Sequence, residues 1–90
     1  MENKTFPFSI LALGGEVISG EVTQIEVRTF EGSLGIMAGH EPLVAACPAG
    51  IIRIEQDGEW VRFKADDFLL SADGKAATII TAAAKYAGEL

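Results

Sequence analysis

Apolar and polar residues alternate with a period of two along several short stretches of this chain. Between residues 23 and 29 the odd positions hold Thr, Ile, Val and Thr, whereas the even positions hold Gln, Glu and Arg. The same alternation recurs over residues 52–55 and 61–64. Such a period places successive side chains on opposite faces of a strand, so each stretch is predicted to be a half-buried β-strand.

Two Asp-Gly pairs predict tight turns between such stretches. Asp57-Gly58 separates the alternating segments 52–55 and 61–64, which is the sequence pattern of a type I′ β-hairpin. Asp73-Gly74 lies between the predicted strands 68–71 and 75–81 and indicates a second hairpin. Further glycines punctuate the chain at short intervals, which is typical of a sandwich or barrel.

The fold class predicted from these patterns is all-β. We expect a small β-sandwich or flattened barrel of about eight to ten short, mostly antiparallel strands. Residues 1–90 are predicted to form a single domain, because a chain of 90 residues supports one small core. Residues 82–87 are rich in helix-forming alanine, but they are too few for a stable helix and Gly88 would end it. We therefore expect residues 82–90 to be a frayed tail.

The charge balance restricts the partners that the chain can have. Thirteen acidic and seven basic residues give a net charge of −6, and the basic residues are scattered singly along the sequence. The sequence thus predicts no basic patch and no nucleic-acid partner, because nucleic-acid affinity depends on neutralising phosphates. No apolar run approaches the roughly 20 residues that span a bilayer, so we expect no direct lipid insertion. A single cysteine, Cys47, favours a reducing compartment.

Candidate catalytic and ligand-binding groups are few. His40, the only histidine, could form a dyad with Cys47, but a small buried thiol is the commoner role for a cysteine that ends an apolar run. One His and one Cys cannot complete a tetrahedral metal site, and Asp66, Asp67 and Asp73 lack calcium-loop spacing. No metal and no cofactor are therefore expected.

Two apolar features leave alternatives open. Residues 43–47 form a wholly apolar run, whose second face must be covered either by the chain's own layers or by another protein. Trp60 either covers a sheet face or anchors a partner.

One motif indicates a family. Residues 31–43 read EGSLGIMAGHEPL, and residues 48–54 read PAGIIRI. They resemble the pattern acidic-Gly-x-hydrophobic-Gly-hydrophobic-x-Pro-Gly-His-Ala-Pro-Leu, followed by Pro-Gly-x-hydrophobic-Arg-hydrophobic, of the N-terminal β-sandwich of the epsilon subunit of the F-type ATP synthase. The resemblance continues more thinly through residues 17–22, 68–70 and 78–80, so it covers nearly the whole chain. The chain departs from the pattern at Ala38, at Glu41 and at Asp66-Asp67, which replace a usual Pro, Ala and Gly-Gly.

The resemblance implies two contacts. In the family, one side of the sandwich binds the gamma subunit, and a loop at one end rests on the ring of c subunits. By position, the ring contact would use Glu31, Ser33 and His40 in a loop shaped by Gly32, Gly35, Gly39 and Pro42. The gamma contact would use Ala12, Leu43, Val44 and Ala45. His40 could equally serve to stabilise its turn.

The function implied is that of a non-catalytic rotor subunit of the central stalk, which couples ion translocation to ATP synthesis at the cytoplasmic face of the membrane. Most family members continue into a regulatory helical hairpin, so this chain is either a naturally short member, which we favour, or an isolated domain. Without such helices it should neither inhibit ATP hydrolysis by that route nor bind ATP. The glycines of residues 32–39 are expected to turn the backbone and not to hold phosphate, since Glu31 precedes them. The alternatives are a free-standing β-sandwich adaptor and, more remotely, a small enzyme.

Overall fold

The computed structural model describes residues 4–89, and of Glu89 the backbone only. Within that range the chain forms ten strands and no helix, so the prediction of an all-β fold is confirmed. The strands are β1 (Phe6–Ala12), β2 (Gly15–Val22), β3 (Gln24–Thr29), β4 (Gly32–Met37), β5 (Leu43–Cys47), β6 (Gly50–Gln56), β7 (Glu59–Ala65), β8 (Phe68–Ala72), β9 (Ala77–Thr81) and β10 (Ala84–Glu89).

Two five-stranded sheets enclose the core. Sheet A has the order β2-β1-β9-β8-β5 and sheet B the order β10-β7-β6-β3-β4. Neighbouring strands are antiparallel except β1 and β9, which run parallel at the centre of sheet A, with Ile10 opposite Ile79. The expectation of mostly antiparallel pairing is therefore confirmed.

Both hairpins predicted from Asp-Gly pairs are present. Asp57 and Gly58 have φ angles of 52° and 79°, which is the positive pair that a type I′ turn requires, and they join β6 to β7. The β8–β9 hairpin has a longer loop, residues 73–76, than a two-residue turn. There one carboxylate oxygen of Asp73 accepts hydrogen bonds from the backbone N–H groups of Lys75 (2.8 Å) and Ala76 (2.9 Å).

The core forms where the apolar faces of the two sheets meet. Ile25 and Val27 of β3 are buried, as the alternation predicts, and the polar residues between them face outward. The largest side chains that are almost wholly buried come from both sheets: Ile10, Val22, Ile25, Cys47, Ile52, Ile54, Leu70 and Ile79. Each buried aliphatic side chain of this size stabilises the fold by about 1.5–3 kcal/mol relative to an exposed one, so the two layers depend on each other.

The prediction of a frayed tail is wrong for the described residues. Ala84–Glu89 form β10, which pairs with β7 at the edge of sheet B. The ring of Tyr86 meets that of Phe63 edge-on, with centroids 5.7 Å apart and planes at 73°. The ladder with β7 and this aromatic contact determine the conformation of the alanine-rich segment, in place of its weak helical preference. Leu90 lies outside the described residues.

Candidate protein-contact surfaces

The turns and connections of the sandwich gather at two opposite ends. The first, here named the Phe30 end, holds the turns at residues 13–14 and 30–31 and the sheet-to-sheet connections 48–49, 66–67 and 82–83. Backbone hydrogen bonds join these segments. The N–H of Asp66 donates to the carbonyl of Ala83 (3.0 Å), and the N–H of Leu13 donates to the carbonyl of Ala82 (3.4 Å). The other, the His40 end, holds the loop 38–42, the turn 57–58 and the loop 73–76.

The three residues predicted to touch the c-ring do not lie together. Glu31 is at the tip of the β3–β4 turn, where its N–H donates to the hydroxyl of Thr29 at 3.0 Å, and Ser33 is nearby on β4. His40 lies beyond the far end of β4, six residues long, which at about 3.3 Å per residue sets it roughly 20 Å from Glu31. The three residues therefore do not belong to one loop, contrary to the prediction from the sequence.

The residues predicted to shape that loop are divided in the same way. Gly32 and Gly39 have positive φ angles, 132° and 81°, beside turns at opposite ends of β4. Gly35 lies within β4, opposite Glu26, and is not a loop residue. Pro42 is exposed just before β5.

His40 has local partners. Its ring nitrogen Nδ1 is 2.7 Å from the carbonyl oxygen of Glu41, so that an Nδ1–H can donate there. Its backbone N–H donates to the carbonyl of Met37 at 3.1 Å. Of the two roles left open by the sequence, these contacts favour the stabilisation of the turn.

Sequence reasoning missed the two apolar side chains that protrude at the Phe30 end. Phe30 is 71% exposed and Leu13 84% exposed, each on the tip of a turn. The signal for both was present, because each large apolar residue stands next to turn-forming residues and outside any alternating segment. Exposed aromatic and aliphatic groups at a turn tip are candidates for contact with another protein.

The predicted gamma-contact residues have different orientations. Val44 of β5 points outward and is 68% exposed. Leu43 and Ala45 pack on the core side of the same strand, and Ala12 is half-buried at the end of β1. The outward neighbour of Val44 on β5 is Ala46, so the second face of the apolar run 43–47 is not covered by residues 4–89.

Val44 borders a continuous line of apolar side chains on the outer face of sheet A. Ala46 pairs with Leu69, Leu69 with Ile80, and Ile80 with Leu11, so the line crosses β5, β8, β9 and β1 in register. Leu69, Ile80 and Leu11 are 42%, 54% and 39% exposed. Directly opposed side chains lie about 4.5–5.5 Å apart, so these four form one surface, here named the apolar row.

The prediction that the chain has no basic patch is wrong. Five of its seven basic residues lie on the outer face of sheet B: Arg28, Arg53, Arg62, Lys64 and Lys85. Each occupies the outward phase of its strand, and the four strands β3, β6, β7 and β10 are neighbours in the sheet. Residues that are isolated in sequence therefore converge in space. Trp60 shares this outer face, half-buried and opposite Glu55.

No catalytic or metal site emerges from the described residues. Cys47 ends β5 at the Phe30 end with 1% exposure, whereas His40 lies at the other end, so the two cannot form a dyad. Burial raises the pKa of the Cys47 thiol. Among the side chains of residues 4–88 no three of His, Cys, Asp or Glu cluster as metal ligands. That part of the chain also contains no helix with the length and apolar character needed to cross a membrane.

Comparison with known proteins identifies the family. Residues 5–87 match the model of the ATP synthase delta/epsilon chain, β-sandwich domain. The chain belongs to this family. The resemblance drawn from residues 31–43 and 48–54 is thereby confirmed, and the match includes β10 up to residue 87 as well as the motif.

Named relatives of this delta/epsilon family are ATP synthase epsilon chains. One from Caldicellulosiruptor bescii is 36% identical over 69 residues, which are 77% of this chain and 50% of that protein. One from Rhodopseudomonas palustris is 29% identical over 86 residues, 96% of this chain and 64% of that protein. The chain thus spans about half to two thirds of the length of these relatives.

Solved structures with low sequence identity to this chain share its fold. A chain in the Euglena gracilis mitochondrial ATP synthase, described as OSCP/F1/c-ring, superposes with a TM-score of 0.85 at 22% identity and covers 91% of this chain and 53% of that one. A chain in the Tetrahymena thermophila mitochondrial ATP synthase, described as central stalk/c-ring, superposes with a TM-score of 0.74 at 14% identity. The superposition covers 93% of this chain and 68% of that one.

Proposed function

We propose that this chain is the β-sandwich of an epsilon-type rotor subunit in the central stalk of an F-type ATP synthase. In this role it binds the gamma subunit and the c-ring, catalyses nothing itself, and couples ion translocation to ATP synthesis at the cytoplasmic face of the membrane. The observation that carries the proposal is the family match over residues 5–87, together with relatives described as epsilon chains.

The apolar row supports a lasting contact with gamma. Its exposed members, such as Leu69 and Ile80, lie on four hydrogen-bonded strands, so the surface is preorganised and little conformational entropy is lost when it is covered. Val44, one of the residues assigned to gamma by the family pattern, borders this row. The gamma contact proposed here therefore keeps Val44 and replaces the inward-facing Leu43 and Ala45 with Ala46, Leu69 and Ile80.

The Phe30 end supports the contact with the ring. Glu31 projects from a turn braced by Thr29, whose hydroxyl donates to the carbonyl of Gly32 at 2.9 Å, and Phe30 protrudes beside it. This combination places a carboxylate and a large apolar group on one short, ordered turn. We assign Glu31, Ser33 and Phe30 to the ring contact and leave His40, at the opposite end, outside it.

Transmission of torque requires that the two contacts move as one body. The side chains of β1, β8 and β9 that support the apolar row are continuous with the core that holds β3 and β4, the strands that bear the Phe30 turn. Closely packed interiors have low compressibility, so a force on one surface reaches the other without large deformation.

The test is co-purification of the membrane complex with tagged chain, using Ile80→Glu and Met37→Glu as a matched pair. Ile80 is 54% exposed on the apolar row, and Met37 is 56% exposed on β4 of the other sheet. A charge at the centre of an apolar contact should weaken recovery of gamma by at least about tenfold, whereas Met37→Glu should leave it near wild type. Circular dichroism of both variants checks that the sandwich is folded.

Two results would contradict the proposal. Recovery of the wild-type chain with proteins other than gamma and the c-ring would favour the adaptor alternative. Equal recovery of gamma with Ile80→Glu and with wild type would show that the apolar row is not the gamma contact, even if the chain belongs to the complex.

A further inference from the structure

The charges of this acidic chain are separated between its two faces. The outer face of sheet B carries the five basic residues Arg28, Arg53, Arg62, Lys64 and Lys85 and, among the described side chains, two acidic ones, Glu26 and Glu55. Its net charge over the described side chains is therefore +3, whereas the other side chains of residues 4–88, two basic and nine acidic, total −7. We propose that this basic face binds an acidic segment of a protein partner, at a site distinct from the apolar row.

The pairing of the strands places like charges directly opposite one another. Lys64 of β7 is opposite Lys85 of β10, and Arg62 of β7 is opposite Arg53 of β6. Like charges at directly opposed positions destabilise a sheet. Two such pairs on one face lower the stability of the isolated chain, and carboxylates from a partner would relieve both repulsions at once.

The basic side chains are incompletely neutralised by the chain itself. Arg53 donates to Glu26 at 2.8 Å, which is the one ion pair among the side chains of residues 4–88. The carboxylate of Glu55 accepts a hydrogen bond from the hydroxyl of Thr23 at 2.7 Å. Arg62 donates from Nη2 to the carbonyl of Ala87 at 3.4 Å, while its Nε is buried and has no acceptor among the described residues. Arg28, Arg62, Lys64 and Lys85 form no ion pair with the side chains of residues 4–88, so their charges remain unpaired there.

Two adjoining depressions give the face a shape that a side chain can enter. One, of about 480 Å³, is lined by Lys64, Lys85 and the single carboxylate of Asp66. The other, of about 310 Å³, is lined by Arg28, Ser33 and the Arg53–Glu26 pair. Both border Ala49 and Gly50, so they lie side by side near the Phe30 end. Two carboxylates a few residues apart could occupy them together.

A protein segment fits this face better than an extended polyanion. The −7 charge of the other side chains of residues 4–88 would repel a duplex or an anionic membrane that extends beyond the face, because electrostatic repulsion reaches about 8–10 Å at physiological salt. Glu26 and Glu55 would also oppose evenly spaced phosphates, whereas a peptide can place its carboxylates beside the lysines and arginines alone. This recognition does not depend on whether the chain belongs to the central stalk.

The test uses an acetylated Gly/Ser peptide of ten residues with two glutamates a few residues apart, titrated into the isotopically labelled 90-residue chain by NMR at low and high salt. We expect amide shifts in β6, β7 and β10 and weaker binding at high salt. The charge-reversed pair Lys64→Glu/Lys85→Glu should weaken binding by at least about tenfold. Lys4→Glu/Lys75→Glu changes the net charge equally, away from the face, and should keep binding within about twofold.

Several outcomes separate the inference from its alternatives. The inference would be overturned if both double variants weakened peptide binding equally, or if the amide shifts were centred on sheet A. Tighter binding of a short DNA duplex or of phosphatidylglycerol vesicles through the same residues would overturn the protein assignment. If the reversed pair does not fold, Lys64→Gln/Lys85→Gln serves instead, with the same expected order of affinities.

Lys64→Glu alone should raise the melting temperature, since it converts the repulsive pair of Lys64 and Lys85 into an attractive one.

Discussion

The carbonyl oxygen of His40 lies 2.9 Å from the position that a Cβ atom would occupy on Gly74. Gly74 also has a φ angle of +88°, which an L-residue adopts only with strain. Gly74→Ala should therefore destabilise the fold by about 2–4 kcal/mol, through the strained backbone and the displacement of loop 38–42. Urea unfolding followed by circular dichroism measures the change.

Gly35→Ala is the control for that prediction. A Cβ on Gly35 would meet the Ile25 carbonyl oxygen at 4.0 Å, an ordinary contact, so the change should be within about 0.5 kcal/mol. Equal unfolding midpoints for the two variants would show that loop 38–42 adapts freely.

Thr81 is the buried polar residue of sheet A, and its hydroxyl lies near the carbonyls of Asp66 (3.2 Å), Asp67 (3.0 Å) and Ala83 (3.3 Å). Thr81→Val removes that donor while it preserves the side-chain shape. We expect a loss of about 1–2 kcal/mol, because a carbonyl at this connection loses its partner. Thr78→Val, on the same strand, is the control and should change stability by less than about 0.5 kcal/mol. If Thr81→Val leaves the stability unchanged, water replaces the hydroxyl as the donor to these carbonyls.

Asp73 should make stability sensitive to acid. The backbone N–H groups of Lys75 and Ala76 donate to its carboxylate and lower its pKa. The stabilisation is present above the unfolded-state pKa, about 3.9, and is lost as the pH falls through the lower folded-state pKa. Wild type should therefore exceed Asp73→Asn in stability at neutral pH, and this advantage should shrink as the pH falls below about 4. A difference that is constant from neutral to strongly acidic pH would contradict this account.

Glu31 should affect coupling and not folding. In a reconstituted ATP synthase that contains the chain, Glu31→Lys should weaken coupling by about 1–3 kcal/mol, with a larger effect at low salt, because charges at the rim of a contact are screened by ions. ATP-driven proton pumping compared with hydrolysis measures coupling. Glu59→Lys, near the turn at the opposite end, is the control. If pumping is unchanged by Glu31→Lys at both salt concentrations, Glu31 does not contact the ring.

Local patterns predicted the features that local physics determines. The alternation around Ile25 and the positive φ angles at Asp57-Gly58 follow from nearest neighbours in the sequence, and both predictions are confirmed. The β10 strand was missed because its conformation depends on the free edge of β7, which the residues of 84–89 do not encode by themselves.

The candidate surfaces were harder to predict than the fold. Placing Glu31 and His40 in one contact overlooked the length of β4 between them, although the alternation of residues 32–37 could have suggested a strand. The basic face was missed because residues as distant in sequence as Arg28 and Lys85 share one face only through the order of strands in sheet B, which no pairwise spacing reveals.

The parallel pairing of β1 with β9 has a consequence for biosynthesis. A ribosome makes β1 first, yet the neighbour that covers its second edge, β9, is made only after eight strands have emerged. Until then the nascent chain can close hairpins such as β1–β2, but Phe6, Phe8 and Ile10 still lack the central strand of their own sheet, which carries the buried Ile79. Non-local pairing of this kind slows folding, so the sandwich cannot close before β9 has been made, and chaperones that recognise exposed aromatic strands have that interval in which to bind it.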